Sequence, residues 1–305
     1  MALQIIEFFG YSPRDKSTAA GATRQSLACP FVGGTCTKTL RGDGGAKVVG
    51  GACTVRQATP SPVICCPKRL YAGRYRILQD VAEAVFGPGL PFVPGSQVSV
   101  DPRVGNRVFA FGSSLGGEVR LPPIRGRGGF FVDWILALVD KQGELKEFVA
   151  VEVQSIDTTG NYRKEREAHL AEREFAGYSN AGINWENVNK RILPQLIYKG
   201  HVLRRETLCK AGLFFVCPTP VYEKISVRVG GNLTKYPAPA PGTLTFRWYN
   251  IGPEVRSGQM RKLVFEDQLT TTVEQLAYAF LSPGNLPPED SYAKAIRAKI
   301  KALGV

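Results

Sequence analysis

The stretch "KEFVAVEVQSID", from Lys146 to Asp157, has the pattern of a buried β-strand that carries a charge. Strand side chains alternate, so Glu152 and Gln154 point to the same face of this strand. A carboxylate among such apolar neighbours costs several kcal/mol unless a partner compensates it. The stretch therefore predicts a central strand of the fold and a partner for Glu152. The apolar residues of the strand are Phe148, Val149, Ala150, Val151 and Val153.

A second acid lies in the apolar run that precedes this strand. The run "FFVDWILALV" (130–139) contains Asp133, and "DKQG" (Asp140 to Gly143) is a turn signal between the two strands. A hairpin folded about that turn places Asp133 opposite Val151 or Glu152. Like charges that close repel, and a hard divalent cation such as Mg²⁺ relieves the repulsion. The sequence thus predicts a metal site held by Asp133 and Glu152.

The composition favours a polyanionic partner. The chain has 305 residues, 44% of them hydrophobic, which suits one large domain or two unequal ones. It carries 39 Lys and Arg against 26 Asp and Glu, a formal net charge of +13. Such an excess favours nucleic acid before an anionic membrane. With only two histidines, His169 and His201, the sequence disfavours His-dependent nucleases, triad hydrolases and His-rich zinc enzymes.

Neither a membrane segment nor a secretion signal is predicted. The best apolar run, "GFFVDWILALV", is too short to span a bilayer and contains Asp133. The start, "MALQIIEFFG", lacks the basic region and the small-residue cleavage site of a signal peptide. We therefore expect a cytoplasmic, reducing location, where cysteines serve as metal ligands or core residues and not as disulfides.

The cysteines near the start of the chain suggest a structural metal. Residues 10–66 are rich in Gly, Thr, Pro and Cys with little periodicity. We therefore expect this segment to bury few apolar side chains and to need a cross-link such as a bound metal. Four cysteines spaced C-x₆-C-x₁₆-C-x₁₂-C would hold one tetrahedral zinc or iron ion: Cys29, Cys36, Cys53 and Cys66. Cys65 is an alternative fourth ligand, and Cys209 and Cys217 are expected in the core. The alternative is a set of unrelated thiols.

After Pro67, strands and helices mix without strict alternation. Strands are predicted at 107–113, 130–139 and 147–156, and in "AGLFFVCP" and "TLTFRWYNI". Helices are predicted at about 70–86, at 163–175, from Asn184 with a kink at Pro194, at 219–226, in "TVEQLAYAFL" and from Ser291 onward. This is typical of an α/β core with a mixed sheet. We expect an N-terminal metal-binding segment over 1–70 and a catalytic core over 71–305.

Two acids that hold a divalent ion beside a basic surface favour phosphodiester hydrolysis, because the ion polarises a phosphoryl oxygen and orients a hydroxide. The pattern Asp133–x₁₈–Glu152–x–Gln154 resembles the PD-(D/E)XK nuclease motif, with Gln154 where a lysine is usual. Glutamine can orient a water but supplies no positive charge. Glu118, upstream on a predicted strand, could join the metal site. The alternative is a pair of edge-of-sheet carboxylates and a structural glutamine.

The chain as a whole resembles the NotI-type type II restriction endonucleases. Its "IIEFFG", "CPF", "CTV" and "CPKR" resemble the metal-binding N-terminal segment of that family, and "LGGE", "FVDW" and "VEVQSIDTTGNYR" resemble the catalytic core. The stretch "NVNKRILPQLIYK" resembles the helix that the family has between its core strands. The resemblance implies a PD-(D/E)XK restriction-endonuclease-like mixed central sheet flanked by helices, with an irregular N-terminal segment that binds a metal through four cysteines.

The resemblance also implies roles and partners. Asp133, Glu152 and Gln154 would be the catalytic set with Glu118 as an additional acid, and the four cysteines would bind iron. The family is homodimeric and cuts GC-rich palindromes in double-stranded DNA. This chain departs from the family in being shorter, in its compact loop between the first two cysteines and in the extra Cys65. Those departures leave the fourth ligand and the target sequence open.

Several basic residues are candidates for DNA contact. Arg125 and Arg127, among glycines in "PPIRGRGGF", could approach phosphates or guanine edges. A second group follows the catalytic strand and comprises Tyr162, Arg163 and Lys164. A third lies on the later helix and comprises Lys190, Arg191 and Lys199. For each of them the alternative is a solvated basic side chain.

The function that the sequence favours is a dimeric, Mg²⁺-dependent restriction endonuclease. A second interpretation is a repair or structure-specific endonuclease of the same fold, which would cut branched or damaged DNA. A third is a non-catalytic DNA-binding module built around the cysteine site. The buried Asp133 and Glu152 pair separates the nucleases from the binding module, because a pure binder has no reason to keep costly acids in its core.

Overall fold

The computed structural model describes residues 3–57, 61–97, 105–121, 130–177, 179–231, 233–282 and 286–303. The strands are β1 Gln4–Phe8, β2 Thr39–Arg41, β3 Lys47–Val49, β4 Ala52–Arg56, β5 Val63–Ile64, β6 Phe92–Pro94, β7 Arg107–Gly112, β8 Arg120–Leu121, β9 Phe130–Phe131, β10 Trp134–Val139, β11 Leu145–Val153, β12 Thr158–Thr159, β13 Gly182–Ile183, β14 Leu213–Pro218, β15 Thr243–Ile251 and β16 Leu263–Thr272. The α-helices are α1 Thr18–Ser26, α2 Ala72–Phe86, α3 Arg163–Leu170, α4 Leu193–Leu203, α5 Thr219–Arg228, α6 Val273–Leu281 and α7 Ser291–Ala302.

A mixed sheet of seven strands forms the centre of the fold, in the order β16-β15-β14-β11-β10-β7-β6. Three pairs, β11–β14, β14–β15 and β6–β7, are parallel, and the other three are antiparallel. The prediction of a mixed α/β core is confirmed. None of the helices in the described residues is long and apolar enough to cross a membrane.

The predicted hairpin is formed by β10 and β11. Its turn closes through Asp140, whose carboxylate accepts from the Gln142 and Glu144 N–H groups, each at 2.9 Å. Trp134 pairs with Val151, so that Asp133 comes to lie opposite Glu152. The predicted strand 130–139 is interrupted in front of Trp134, because β9 pairs with β8 whereas β10 pairs with β7 and β11.

Helices cover both faces of the sheet. On one face α2 packs its buried side chains against Val149, Val151 and Val153 of β11. On the other face α4, α5 and α6 pack in a cluster that contains Ala150. Because side chains alternate along a strand, Glu152 shares the face of Ala150. The topology therefore directs this carboxylate towards α4.

The N-terminal strands share a hydrophobic core with the central part of the chain. Strands β1, β4 and β5 form a separate sheet, and their apolar residues Phe8, Val55 and Val63 are fully buried in the same cluster as Phe215 and Phe246. The expectation that residues 10–66 bury little core is wrong, because the short strands supply apolar contacts that their irregular sequence pattern conceals.

Some elements differ from the sequence prediction. The helix predicted at 163–175 ends at Leu170, and the one predicted from Asn184 begins as a π-helical turn, Val188–Ile192, before Pro194 opens the first turn of α4. Proline fits there because the first turn of a helix needs no N–H donor. Glu118 lies in an irregular segment between β7 and β8 and not on a strand as predicted.

Candidate active site

The two acids in the hairpin meet at the end of β10 and β11. The Asp133 backbone N–H donates to Glu152 Oε1 at 3.3 Å, and the Val153 N–H donates to Asp133 Oδ2 at 2.9 Å. Glu152 is 2% exposed, while Asp133 is half-buried. The backbone of each strand therefore holds the carboxylate of the other, and both acids face one point.

The environment of the pair disfavours two negative charges. Burial and the charge of Asp133 raise the pKa of Glu152 above its usual range, against the lowering effect of Lys199. Burial also raises the pKa of Asp133, which the Val153 N–H and Lys199 lower and Glu118 raises further. Such mutual destabilisation is what a bound cation relieves, and it marks candidate functional sites.

A lysine that sequence reasoning assigned only to DNA contact completes this cluster. Lys199 of α4 donates from Nζ to Glu152 Oε1, and its side chain is 14% exposed. Its Nζ also lies 5.7 Å from the centroid of the Phe131 ring. A signal for this position exists in the sequence, because Lys199 falls between the buried Leu196 and Leu203 on the inward stripe of α4.

The two remaining predicted catalytic residues lie nearby but are less tightly held. Gln154 directly follows β11, its backbone N–H donates to the Val216 carbonyl at 3.0 Å, and its side chain is half-buried. Glu118 forms an ion pair with Arg120 at 2.8 Å and reaches Asp133 only through its charge. The described residues contain no group of three or more His, Cys, Asp or Glu side chains placed to hold a metal ion.

Two carboxylates nevertheless suffice for the predicted cation. Mg²⁺ is usually bound through one or two protein carboxylates together with substrate phosphates and waters. Asp133 and Glu152 provide that donor set, and Lys199 is the partner of Glu152 that a bound cation would replace. The residues therefore fit Mg²⁺ without Glu118 as a direct ligand.

The four predicted cysteine ligands share a partial exposure that the other thiols lack. They are 5–9% exposed, whereas Cys65, Cys209 and Cys217 are at most 1% exposed. Burial raises the pKa of Cys66 to about 12, and the charges of Cys36 and Cys65 contribute to that rise. Cys36, Cys53 and Cys66 are close enough to affect one another's pKa, but the four predicted ligands are not assembled as a ligand set within the described chain, so the structure does not support a bound iron or zinc.

The predicted DNA contacts have different outcomes. Arg125 and Arg127 lie outside the described residues. Tyr162 is 2% exposed and sits near the cysteines, so it belongs to the core and not to the surface as predicted. Arg163 is half-buried and pairs with Glu167 at 3.3 Å, and Lys164 is exposed. Proximity to the catalytic strand in sequence did not indicate on which side Tyr162 would lie.

Comparison with known families covers the whole of this site. Residues 14–211 match the family model described as "Restriction endonuclease NotI". The matched range includes the N-terminal cysteines, the β10–β11 hairpin with its two acids, and α4 with Lys199. No curated protein sequence matches the chain at a significant level. With the match spanning more than half of its length, this chain belongs to the NotI restriction endonuclease family.

Proposed function

We propose that this protein is a Mg²⁺-dependent type II restriction endonuclease with a PD-(D/E)XK core, which hydrolyses phosphodiester bonds at a GC-rich palindrome in double-stranded DNA. Its family implies a DNA endonuclease. The observation that carries the proposal is the buried contact between Asp133 and Glu152 at the end of the central hairpin. A buried and a half-buried acid in contact destabilise the fold, and a catalytic role explains why they are there.

Each residue of the site has a role in this mechanism. Asp133 and Glu152 would hold Mg²⁺, and the Val153 N–H fixes the orientation of Asp133 through Oδ2. When bound, the ion supplies Lewis acidity at a phosphoryl oxygen and a water of lowered pKa. Gln154 would orient that water with its amide, which can accept one hydrogen bond and donate another. Glu118 would tune the site through its charge on Asp133.

The DNA would be held by the positive charge of the chain. A formal net charge of +13 supplies the sequence-independent part of binding through phosphate contacts. Candidates for these contacts are Arg163 and Lys164, which follow the catalytic strand, with Arg125 and Arg127 from the sequence between β8 and β9. Two copies of the chain would each cut one strand, which suits a palindromic target.

Metal dependence and sequence specificity test this proposal together. We expect a long, GC-rich duplex to yield discrete fragments with the protein and Mg²⁺, and to stay intact when EDTA removes the metal. Sequencing of the fragment ends should give one palindrome. Protein with the Asp133→Asn substitution, purified in the same way, controls for a contaminating nuclease. Intact DNA under all Mg²⁺ concentrations, with binding retained, would instead identify a non-catalytic DNA-binding module.

The structural metal at Cys29, Cys36, Cys53 and Cys66 is also part of the proposal. It is supported by the spacing of the residues and by the similar small exposure of their side chains. We expect about one iron or zinc per chain by elemental analysis, in line with a four-thiolate site.

Substitution separates this cysteine site from adventitious binding. Cys53→Ser should lose most of the metal and unfold at a lower temperature, because thiolate binding contributes directly to folding. Cys209→Ser, at a buried thiol near the Gly212 carbonyl, should keep it. A wild-type protein free of both metals, or equal loss in the two variants, would refute the site.

A further inference from the structure

Lys199 occupies a position where the helix pattern calls for an apolar residue. The inward face of α4 and the preceding turn carries Ile192, Leu196 and Leu203, all buried. Lys199 is seven residues after the first of these and four before the last, so it continues the same stripe. Burying a lysine on such a stripe is costly unless its charge has a partner or a task.

The partner of Lys199 is the acid that the proposed mechanism needs for the metal. Its Nζ donates to Glu152 Oε1, the oxygen that also accepts the Asp133 N–H. The Phe131 ring lies beside the ammonium group, and the lysine keeps 14% of its side chain exposed while Glu152 keeps 2%. The ammonium is thus the more accessible member of the pair.

The charge balance of the site distinguishes a catalytic from a structural lysine. Asp133, Glu152 and Lys199 together carry one net negative charge, so one divalent ion and one bound phosphate bring the site to neutrality. Without Lys199 the same complex would hold a net negative charge while further negative charge develops on the phosphoryl oxygens. Removing it should therefore disfavour the transition state more than the ground state.

Strand β11 does not provide this positive charge itself. The residue two positions after Glu152 is Gln154, which is uncharged. Lys199 instead comes from α4, on the face of the sheet to which Glu152 points. It lies 47 residues further along the chain and reaches the same carboxylate.

We propose that Lys199 is a catalytic residue of this nuclease, and that its ammonium group contacts the scissile phosphate and supplies from α4 the positive charge that Gln154 cannot. The inference rests on the proposed nuclease function. With Glu152 Oε1 as a ligand of the metal, the flexible stem of Lys199 would let its ammonium group contact the phosphate instead.

Three variants test this role. Lys199→Gln can still donate to Glu152 but has no charge, Lys199→Arg keeps the charge, and Lys210→Met removes an exposed lysine that pairs with Glu147. We expect the single-turnover rate of cleavage at saturating Mg²⁺ to fall by about 10²–10³-fold for Lys199→Gln. Lys210→Met should cut at the wild-type rate. DNA affinity measured in Ca²⁺ should change by less than about threefold for Lys199→Gln, since one phosphate contact among many is lost.

A transfer of the charge provides a second measurement. Adding Gln154→Lys to Lys199→Gln returns an ammonium group to the site from the strand, and partial recovery of the rate would support the role. A Lys199→Gln rate within about threefold of wild type would overturn the role, because such a small change is well under one tenfold step and leaves no room for a lost transition-state contact. A loss that higher Mg²⁺ alone restores would also overturn it, because the lysine would then affect only metal binding. If wild-type protein cuts no DNA with Mg²⁺, the nuclease proposal itself has failed; if it cuts and Lys199→Gln cuts equally well, only the lysine assignment has failed.

Discussion

Glu152→Gln is expected to cleave DNA about 10³-fold more slowly than wild type at saturating Mg²⁺. Glutamine keeps the shape of the side chain and an oxygen that can accept from the Asp133 N–H and from Lys199. It removes only the charge that would hold the metal, and a metal contact of this kind contributes several kcal/mol of transition-state stabilisation. Single-turnover cleavage under excess protein measures the change, with DNA binding in Ca²⁺ as the control.

The same variant should be more stable than wild type when metal is absent. Burial and the charge of Asp133 raise the pKa of Glu152 to about 7, above its usual value near 4.5. Between these values the folded chain binds a proton that the unfolded chain has released, so stability falls as the pH rises through this window. At pH 8 in EDTA we expect the thermal midpoint of Glu152→Gln to exceed that of wild type.

If Glu152→Gln cleaves DNA within about tenfold of the wild-type rate, another carboxylate holds the metal.

The central hairpin could be predicted because its determinants are local. A strong turn signal at Asp140 to Gly143 separates two apolar strands, and alternation along each strand then fixes which residues face each other. The contact between Asp133 and Glu152 follows from those two features alone. Strands β14 and β15 were equally evident, because β14 is apolar throughout and β15 alternates polar and apolar residues over its first six positions.

The missed parts of the molecule depend on contacts that are distant in sequence. Strand β16 was not predicted, since most of its first six residues are exposed and it is ordered by pairing with β15. The sequence analysis gives Lys199 only as a candidate DNA contact, with a solvated side chain as the alternative, although its place on the apolar stripe of α4 indicates a buried position. A charged residue among apolar residues indicates a special role, as it did for Glu152. The same criterion applied to α4 would have identified Lys199.

The N-terminal segment contains a buried ion pair that no sequence pattern indicated. Arg69, at 0% exposure, donates from Nε to Glu7 Oε2 at 2.8 Å and from Nη2 to Glu7 Oε1 at 3.0 Å. Glu7 also accepts from the Thr54 hydroxyl, and Arg69 donates to the Arg261 carbonyl at 2.8 Å. The pair thus joins β1 and β4 to the turn that follows Cys66 and to the segment just before β16.

Removing one member of this pair should destabilise the protein strongly. In Glu7→Ala the guanidinium of Arg69 stays buried without its counter-ion, which costs about 3–5 kcal/mol of unfolding free energy. Urea unfolding followed by tryptophan fluorescence measures the change. As a matched control, Glu186→Ala breaks an exposed pair with Lys190 and should cost no more than about 1 kcal/mol.

The double variant Glu7→Ala with Arg69→Met tests why Glu7→Ala loses stability. The loss comes either from the missing attraction between the two side chains or from an Arg69 guanidinium that is left buried without a counter-ion. If the penalty is the buried and unpaired guanidinium, replacing it by an apolar side chain of similar length should recover part of the stability lost in Glu7→Ala. If the two substitutions simply add, the pair contributes nothing beyond its separate packing. The first result would mean that Glu7 is needed to neutralise Arg69, which connects the turn after Cys66 to the Arg261 carbonyl.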